Sequence, residues 1–297
     1  MKKMLMIVFI AILTLSGCWN DEKVFEKDDS QIIQEEKVED PVTQFSEEVL
    51  IDNEFAKITI TKIEGNPKKG YSLKALIENK TEDRNLMYSV ISASVDGVAI
   101  DPLFASDVAA LKKANEEISF RASRFEDDVD ITWSDIMMHI RITDADNWSE
   151  EAFVDDYYHI YPLGQDKATK YIRSDKEGDI ILCDNEYLKA LVYEIDEENT
   201  FGYTLKLYVE NKTDSEMMVS VDDASINGFM IDPFFSMTVL SNAVEFNEVS
   251  WSNSKLEENN IEQVENIEFS FKAYDFNNWF SSPYYEDIVH LDILDKE

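Results

Sequence analysis

Side chains that could do acid–base or nucleophilic chemistry are few in this sequence. Its 297 residues include three histidines and two cysteines. His139 alternates with Met137 and Arg141 on the polar face of a predicted strand, which predicts a solvated histidine. His159 and His290 lie near predicted last strands and are expected to pack or hydrogen-bond. No serine elbow, zinc-binding His-Glu helix or phosphate-cradling glycine loop occurs, and only eight residues are glycine. We therefore predict a protein that is not an enzyme and has no cofactor.

Acidic residues are abundant, so a calcium site has to be considered. Asp144, Asp146 and Asn147 have the spacing that begins a calcium loop, but Trp148 occupies the next ligand position and the turn glycine is missing. A dedicated calcium site needs roughly six to eight oxygen ligands from a shaped loop. The expectation is a solvated acidic face and no metal site.

Cys183 is the remaining candidate nucleophile in the body of the chain. It follows the Ile-Ile-Leu run at 180–182, which predicts a small buried residue at the start of a strand. The neighbouring acids Asp184 and Glu186 would raise the pKa of the thiol rather than lower it. A catalytic role is therefore not expected.

The first 17 residues have the features of a signal peptide. A Lys-Lys pair precedes an apolar run of about a dozen residues, which is too short to span a bilayer as a mature helix. The run ends in Leu15-Ser16-Gly17-Cys18. This sequence resembles a bacterial lipobox, in which the peptidase cuts before the cysteine and leaves it as an N-terminus that carries diacylglycerol. The resemblance implies lipidation of Cys18, with Leu15, Ser16 and Gly17 as the residues before it.

A lipid anchor predicts the location of the protein and its first partner. Two acyl chains satisfy the requirement for stable membrane attachment, and no later run approaches the roughly 18 apolar residues of a membrane-spanning helix. We expect a lipid-anchored protein of the cell membrane, on the extracellular face. Residues 18–47 are rich in Asp, Glu, Lys, Gln and Ser. They predict a disordered acidic tether with a reach of about 30 Å.

The rest of the chain contains the same pattern twice. The repetition predicts a tandem duplication, with repeat 1 at 48–160, a linker at 161–179 and repeat 2 at 180–297. Equivalent positions are 132 residues apart in the first three of the following pairs and 131 apart in the fourth. The pairs are Asp52-Asn53-Glu54 with Asp184-Asn185-Glu186, Gly70-Tyr71 with Gly202-Tyr203, Glu78-Asn79-Lys80-Thr81 with Glu210-Asn211-Lys212-Thr213, and Ile100-Asp101-Pro102 with Ile231-Asp232-Pro233.

Each repeat is predicted to consist mostly of strands. Residues 71–77 and 203–209 alternate between two faces with a period of two, as half-buried strands do. The dipeptides Asp96-Gly97 and Asn227-Gly228 separate apolar runs and favour tight hairpin turns.

Two segments of each repeat have patterns that fit more than one type of element. Ala105 to Glu117 alone resembles a helix, but its counterpart Ser236 to Glu248 contains β-branched residues. Because the two copies must share a structure, we predict strand, loop, strand for both. One helical turn is expected within 125–133 and one within 256–264.

Short strands joined by brief turns predict an all-β fold, with two tandem immunoglobulin-like β-sandwich domains after the signal peptide and tether. The order Gly-Tyr, Leu-Lys, Glu-Asn-Lys-Thr and Ile-Asp-Pro before an aromatic residue resembles the telokin-like, immunoglobulin-like domains of uncharacterised Gram-positive lipoproteins. The resemblance implies a sandwich fold and an extracellular setting. It carries no activity and no catalytic residues.

Charge restricts the partners. The chain has 62 acidic and 27 basic residues, a formal charge of -35, which argues against nucleic acid and favours a basic protein or envelope partner. The function expected is a lipid-anchored extracellular binding or envelope-associated module. One alternative is a transport-associated solute-binding lipoprotein, which requires strands alternating with helices in two lobes. The other is an envelope hydrolase, which requires paired carboxylates in a cleft.

Overall fold

The computed structural model describes residues 45–126, 129–147, 149–278 and 280–293. Leu15, Ser16, Gly17 and Cys18 lie outside these residues, as do the rest of the predicted signal peptide, most of the predicted tether, and Trp148.

The two repeats form the same series of strands. In the described part of repeat 1 the strands are β1 (Glu48–Asp52), β2 (Ala56–Asn66), β3 (Gly70–Asn79), β4 (Leu86–Val95), β5 (Val98–Ile100), β6 (Ala105–Val108), β7 (Lys113–Arg121), β8 (Ile136–Asp144) and β9 (Val154–Ile160). In repeat 2 they are β10 (Ile180–Asp184), β11 (Leu188–Asp196), β12 (Gly202–Asn211), β13 (Met217–Ile226), β14 (Phe229–Met230), β15 (Met237–Val239), β16 (Val244–Ser252), β17 (Asn266–Asp275) and β18 (Tyr285–Asp292). Strands β1 to β9 thus correspond in order to β10 to β18.

These strands are arranged in three sheets. The first has the order β1-β2-β3-β7, and the third has the order β14-β13-β17-β18 with β15 on β13. The second runs through both repeats, in the order β10-β11-β12-β16-β5-β4-β8-β9 with β6 on β4. Every strand pairing is antiparallel except that of β16 with β5, which is parallel. The predicted all-β sandwich fold is therefore confirmed.

The alternation of apolar residues explains where the hydrophobic cores form. Tyr71, Leu73 and Ile77 on β3 are buried, and they pack in one cluster with residues of β4 and β8 from the facing sheet. A second cluster, which contains Trp251 and Phe269, occupies the same place in repeat 2. Burial of a large apolar side chain stabilises a fold by roughly 1.5–3 kcal/mol, so the side chains that alternate inward contribute most of the stability.

The predicted hairpin turns are confirmed. Asp96 and Gly97 have φ of 50° and 81°, and Asn227 and Gly228 have φ of 52° and 80°. Two consecutive residues with positive φ match the twist of the strands they join, which is why Asp-Gly and Asn-Gly suit this position.

The strand, loop, strand prediction is also confirmed, since Ala105 to Glu117 contains β6 and the start of β7. One expected helical turn is displaced. The α-helix α1 spans Asn253–Glu258 and only overlaps the predicted range. Residues 129–133 are not helical, and the nearest turn of 3-10 helix lies upstream, at Ala122–Arg124. Residues 127–128 of the predicted range lie outside the described residues, and the described remainder of 125–133 contains no helix.

Candidate binding groove between the repeats

The two repeats meet where β16 joins β5. The amide nitrogen of Val244 donates a hydrogen bond of 2.8 Å to the carbonyl of Gly97, and Val244 is in register with Val98. Beside this pairing Met137 of repeat 1 packs with Leu240 and Ala243 of repeat 2 in a small buried cluster. Repeat 1 therefore contributes the edge of strand β5 to this contact, and repeat 2 contributes the turn that precedes β16.

The predicted linker takes part in this contact. The amide of Thr169 donates to the hydroxyl of Ser134 at 2.8 Å, and the amide of Tyr171 donates to the carbonyl of Asp96 at 2.8 Å. Both acceptors belong to repeat 1. Residues 161–179 therefore pack against the junction rather than crossing it as an extended segment.

The end of the same segment is attached to repeat 2 by a buried arginine. Arg173 donates to both carboxylate oxygens of Asp179, at 2.6 and 2.8 Å, and its guanidinium lies over the rings of Tyr193 and Tyr208 at 5.8 and 5.6 Å. The ion pair raises the pKa of Arg173 and lowers the pKa of Asp179. Because both ends of the segment are anchored, the two repeats are held in one arrangement.

This arrangement leaves a groove of about 650 Å³ between the repeats. That volume lies within the range of small-ligand sites. Both repeats line it, with apolar and charged side chains. Its apolar residues include Ile91, Leu240 and Phe246, and its charged residues are Asp101, Arg124, Glu126, Arg141, Glu216 and Glu245. The four acids outnumber the two arginines, so the groove favours a cation that also has an apolar part.

Glu245 is the most unusual of the acids. On β16 it shares a face with Val249 and Trp251, which are core residues, because side chains alternate along a strand. No described residue forms an ion pair or hydrogen bond with its carboxyl group. Burial therefore raises the pKa of Glu245 to about 7. The residue in its place in repeat 1 is Ala114, so this acid is particular to the junction.

His139 also lines the groove, and the prediction of a solvated histidine was wrong. Its side chain is 18% exposed, its ring stacks on Tyr157 at 4.4 Å between centroids, and its Nε2 lies 2.6 Å from Asp155 Oδ1. Its Nδ1 is buried without a described partner. The strand pattern placed His139 on the outward face correctly, but Tyr157 and Asp155 of the neighbouring strand β9 cover its ring there.

Ser92, His139 and Asp155 invite comparison with a catalytic triad. Ser92 is opposite His139 across β4 and β8. The Ser92 hydroxyl and the His139 Nδ1 are both buried, and no hydrogen bond joins them. A nucleophile has to contact its base and the substrate, so this set lacks the essential geometry of a triad.

The other side chains singled out from the sequence are structural. Cys183 is buried at the start of repeat 2, and burial raises the pKa of its thiol to about 11, as the sequence predicted in direction. His159 Nδ1 lies 2.8 Å from Asp135 Oδ1, which confirms its predicted hydrogen-bonding role. His290 Nδ1 lies 2.8 Å from Glu268 Oε2, in a contact between exposed side chains.

Two residues of the junction were missed by the sequence analysis. Tyr157 on β9 donates across the junction to Glu216 Oε1 at 2.5 Å. Asp96 was assigned only to a turn, yet its buried carboxylate accepts six hydrogen bonds from residues 132–135. Neither contact has a signal in the local sequence, because the partners are distant in the chain.

Within the described ranges no group of three or more His, Cys, Asp or Glu residues is suitably placed to hold a metal ion. None of the described helices has the length and hydropathy of a membrane-spanning segment. Comparison with known proteins adds no family: no family model matches the chain, and no curated protein matches it. The fold and the groove together define a two-repeat all-β protein with a mixed acidic and apolar cleft at its junction.

Proposed function

We propose that this protein is a lipid-anchored, non-catalytic binding module on the extracellular face of the cell membrane, and that the groove between its repeats holds the ligand. The groove itself is the observation that carries the proposal. It is lined by both repeats, and the anchored segment 161–179 fixes their arrangement, so the site is formed before the ligand arrives. Preformed sites lose less conformational entropy on binding.

The chemistry of the groove suggests the ligand. A cationic group beside Glu245 would supply the counter-charge that this acid lacks, and apolar side chains would contact Ile91 and Leu240. A short basic segment of a protein, in which lysine or arginine alternates with apolar residues, combines both features. Its approach would be favoured by the charge of -35.

The two alternatives have less support. A solute-binding lipoprotein of the expected kind alternates strands with helices, whereas α1 is the only α-helix among the described residues. A hydrolase needs an accessible acid–base pair or nucleophile, and the buried Ser92 and His139 atoms do not provide one.

The groove is tested with a defined peptide. A fluorescently labelled hexapeptide of alternating leucine and lysine is titrated with the full chain in detergent micelles, and binding is followed by anisotropy. Loss of one partly buried charge contact should weaken binding about tenfold in Glu245→Gln. The matched control is Glu257→Gln, an exposed acid on α1 that changes the net charge equally. Equal affinity of the two variants would refute the groove as the site.

The anchor is tested separately. Cells expressing the chain are grown with labelled palmitate, and the label on the wild-type protein is compared with that on Cys18→Ala. Lipidation at the proposed residue requires the label to disappear in the variant and to remain in Cys183→Ala. Label that persists in Cys18→Ala would contradict the anchor and would leave the groove proposal standing.

A further inference from the structure

The junction between the repeats has two different sides. The side from repeat 1 consists of β5, the Gly97 carbonyl and Met137, and is called here the acceptor edge. The side from repeat 2 consists of residues 240–244, which lead into β16, and is called the donor corner. Because the chain is a duplication, each repeat has both features, but the junction uses only one of each.

The unused acceptor edge is in repeat 2. Its strand β14 exposes Phe229 and Met230, at 48% and 67%, where the equivalent Val98 of repeat 1 is buried at the junction. No described residue donates to the carbonyl of Gly228, the counterpart of Gly97. Space around Gly228 is open, whereas Lys170 of the linker lies against Gly97. Repeat 2 thus presents an edge with larger apolar side chains than the one already in use.

The unused donor corner is in repeat 1, at residues 109–113. Leu111 at its tip is 63% exposed and has a φ of 57°, a left-handed conformation that suits the equivalent Asn242 much better. The Leu111 amide donates to the Thr81 carbonyl at 3.1 Å, so its backbone belongs to the corner while its exposed side chain is open to a contact with another molecule. The edge amide of Lys113 corresponds to that of Val244, because the two strands have the same register with their neighbours.

Charges on the two unused surfaces are complementary. In the junction Met137 packs against Ala243. Glu268 replaces Met137 on the free acceptor edge, and Lys112 replaces Ala243 on the free donor corner. Both side chains are exposed, and Lys112 has no ion pair with any described residue. Glu268 contacts His290 through Oε2. The apolar pair Met137 and Ala243 of the junction thus corresponds to an acid, Glu268, on the free acceptor edge and a base, Lys112, on the free donor corner.

We infer that the donor corner of repeat 1 binds the acceptor edge of repeat 2 in a second copy of this chain. Lys112 would pair with Glu268, Leu111 would pack near Phe229 and Met230, and the Lys113 amide would donate to the Gly228 carbonyl. The two surfaces differ, so the contact is head-to-tail, and a pair of molecules still has one free donor corner and one free acceptor edge. Anchored chains would therefore form rows on the membrane.

Ionic strength and anchoring decide whether this contact forms. The whole molecules repel each other, since each has a formal charge of -35. At about 0.15 M salt the Debye length is about 8 Å, so long-range repulsion is largely screened while a contact pair is retained. The linker strengthens the internal junction but not this one, so the affinity should be low in dilute solution and sufficient on a crowded surface.

The test uses the full chain in vesicles of phosphatidylcholine at 0.15 M salt. Chains labelled with nitrogen-14 and nitrogen-15 are mixed and treated with a carbodiimide, which joins an amine to a carboxylate with no spacer. The inference predicts a cross-linked peptide that joins the Lys112–Lys113 pair to Glu268, with one half from each isotope. The inference would be overturned if this cross-linked peptide did not form, or if both of its halves always had the same isotope.

Charge variants distinguish a specific contact from random collision. K112E/K113E should reduce the mixed-isotope peptides that contain Glu268 at least about tenfold. K68E/K69E changes two exposed lysines on the β2–β3 turn and alters the net charge equally, so it should leave the yield within about twofold. Adding E268K to K112E/K113E should restore a cross-link between the same two segments. Equal losses in both lysine-pair variants, or no restoration, would overturn the inference.

Discussion

The pH dependence of stability gives the sharpest test of the environment of Glu245. Its pKa is about 7 in the folded chain and 4.5 without that burial. At a pH between these two values, Glu245 has lost its proton in the unfolded chain and has kept it in the folded chain. The folded state therefore binds more protons, and its stability falls as the pH rises from about 4.5 to about 7. Below this pH range Glu245 does not change the free energy of unfolding, and above it the full loss of stability from its buried charge is present.

The change that tests this is Glu245→Gln, which retains the shape and removes the charge. The difference between the two pKa values corresponds to at most about 3 kcal/mol in the free energy of unfolding. The variant should therefore match the wild-type chain near pH 4.5 and exceed it by up to about 3 kcal/mol at pH 8. Urea unfolding of the purified chain, followed by tryptophan fluorescence, measures both values.

Other acids also titrate in this window, so only the difference between the two proteins is interpreted. Glu257→Gln on α1 is the control, because it removes an exposed acid and should not reproduce the gain in stability at pH 8. If Glu245→Gln shows no gain in stability at pH 8, Glu245 is solvated and the account of the groove loses its main electrostatic feature.

Three further predictions concern the structure around the groove. Asp96→Ala removes the acceptor of six hydrogen bonds and leaves buried amides unpaired, so it should lower the free energy of unfolding in urea by at least about 3 kcal/mol. Asp96→Asn should lower it less, because Asn227 occupies the equivalent turn in repeat 2. Arg173→Ala leaves Asp179 buried without its partner and should lower the free energy of unfolding by about 3–5 kcal/mol. A loss near zero would contradict this and would mean that the segment 161–179 detaches freely. In a Cys18→Ala background, Cys183 should react with a thiol reagent at pH 8 only on unfolding, because its thiolate fraction is about a thousandth when the pKa is about 11; rapid reaction of the folded chain would contradict its burial.

Much of the fold could be predicted from the sequence because its causes are local. The alternation along β3 and β12 specifies strands, and Asp96-Gly97 specifies a turn. The duplication allowed the sequence of repeat 2 to correct the apparent helix at Ala105 to Glu117. The same comparison did not place the helical turns expected within 125–133 and 256–264, because α1 begins three residues before the second range.

The junction could not be predicted, because its causes are not local. The backbone pairing of β16 with β5 rests on a single registered pair, Val244 with Val98, which belong to different repeats. A pattern of alternation assigns His139 and Glu245 to faces of their strands, but it does not show which neighbour covers each face. The unusual environments of both residues follow from that covering.

Comparison of the two copies would have provided one signal for the junction. Equivalent positions with the same structural role in both repeats should have similar residues. Met137 and Glu268 are equivalent but differ in type, and so are Ala243 and Lys112. Such differences mark the positions where one copy is covered and the other is free.

Binding of a cation at Glu245 is tested most directly by the number of protons that the chain releases when the ligand binds. Titration calorimetry of the leucine–lysine hexapeptide at pH 6, in two buffers with different enthalpies of ionisation, gives this number. Near pH 6 the folded chain holds the Glu245 proton, because the pKa is about 7. A bound cation should displace it, so the account predicts release of nearly one proton by the wild-type chain and none by Glu245→Gln. Binding with no proton release, or with equal release by both proteins, would contradict the account.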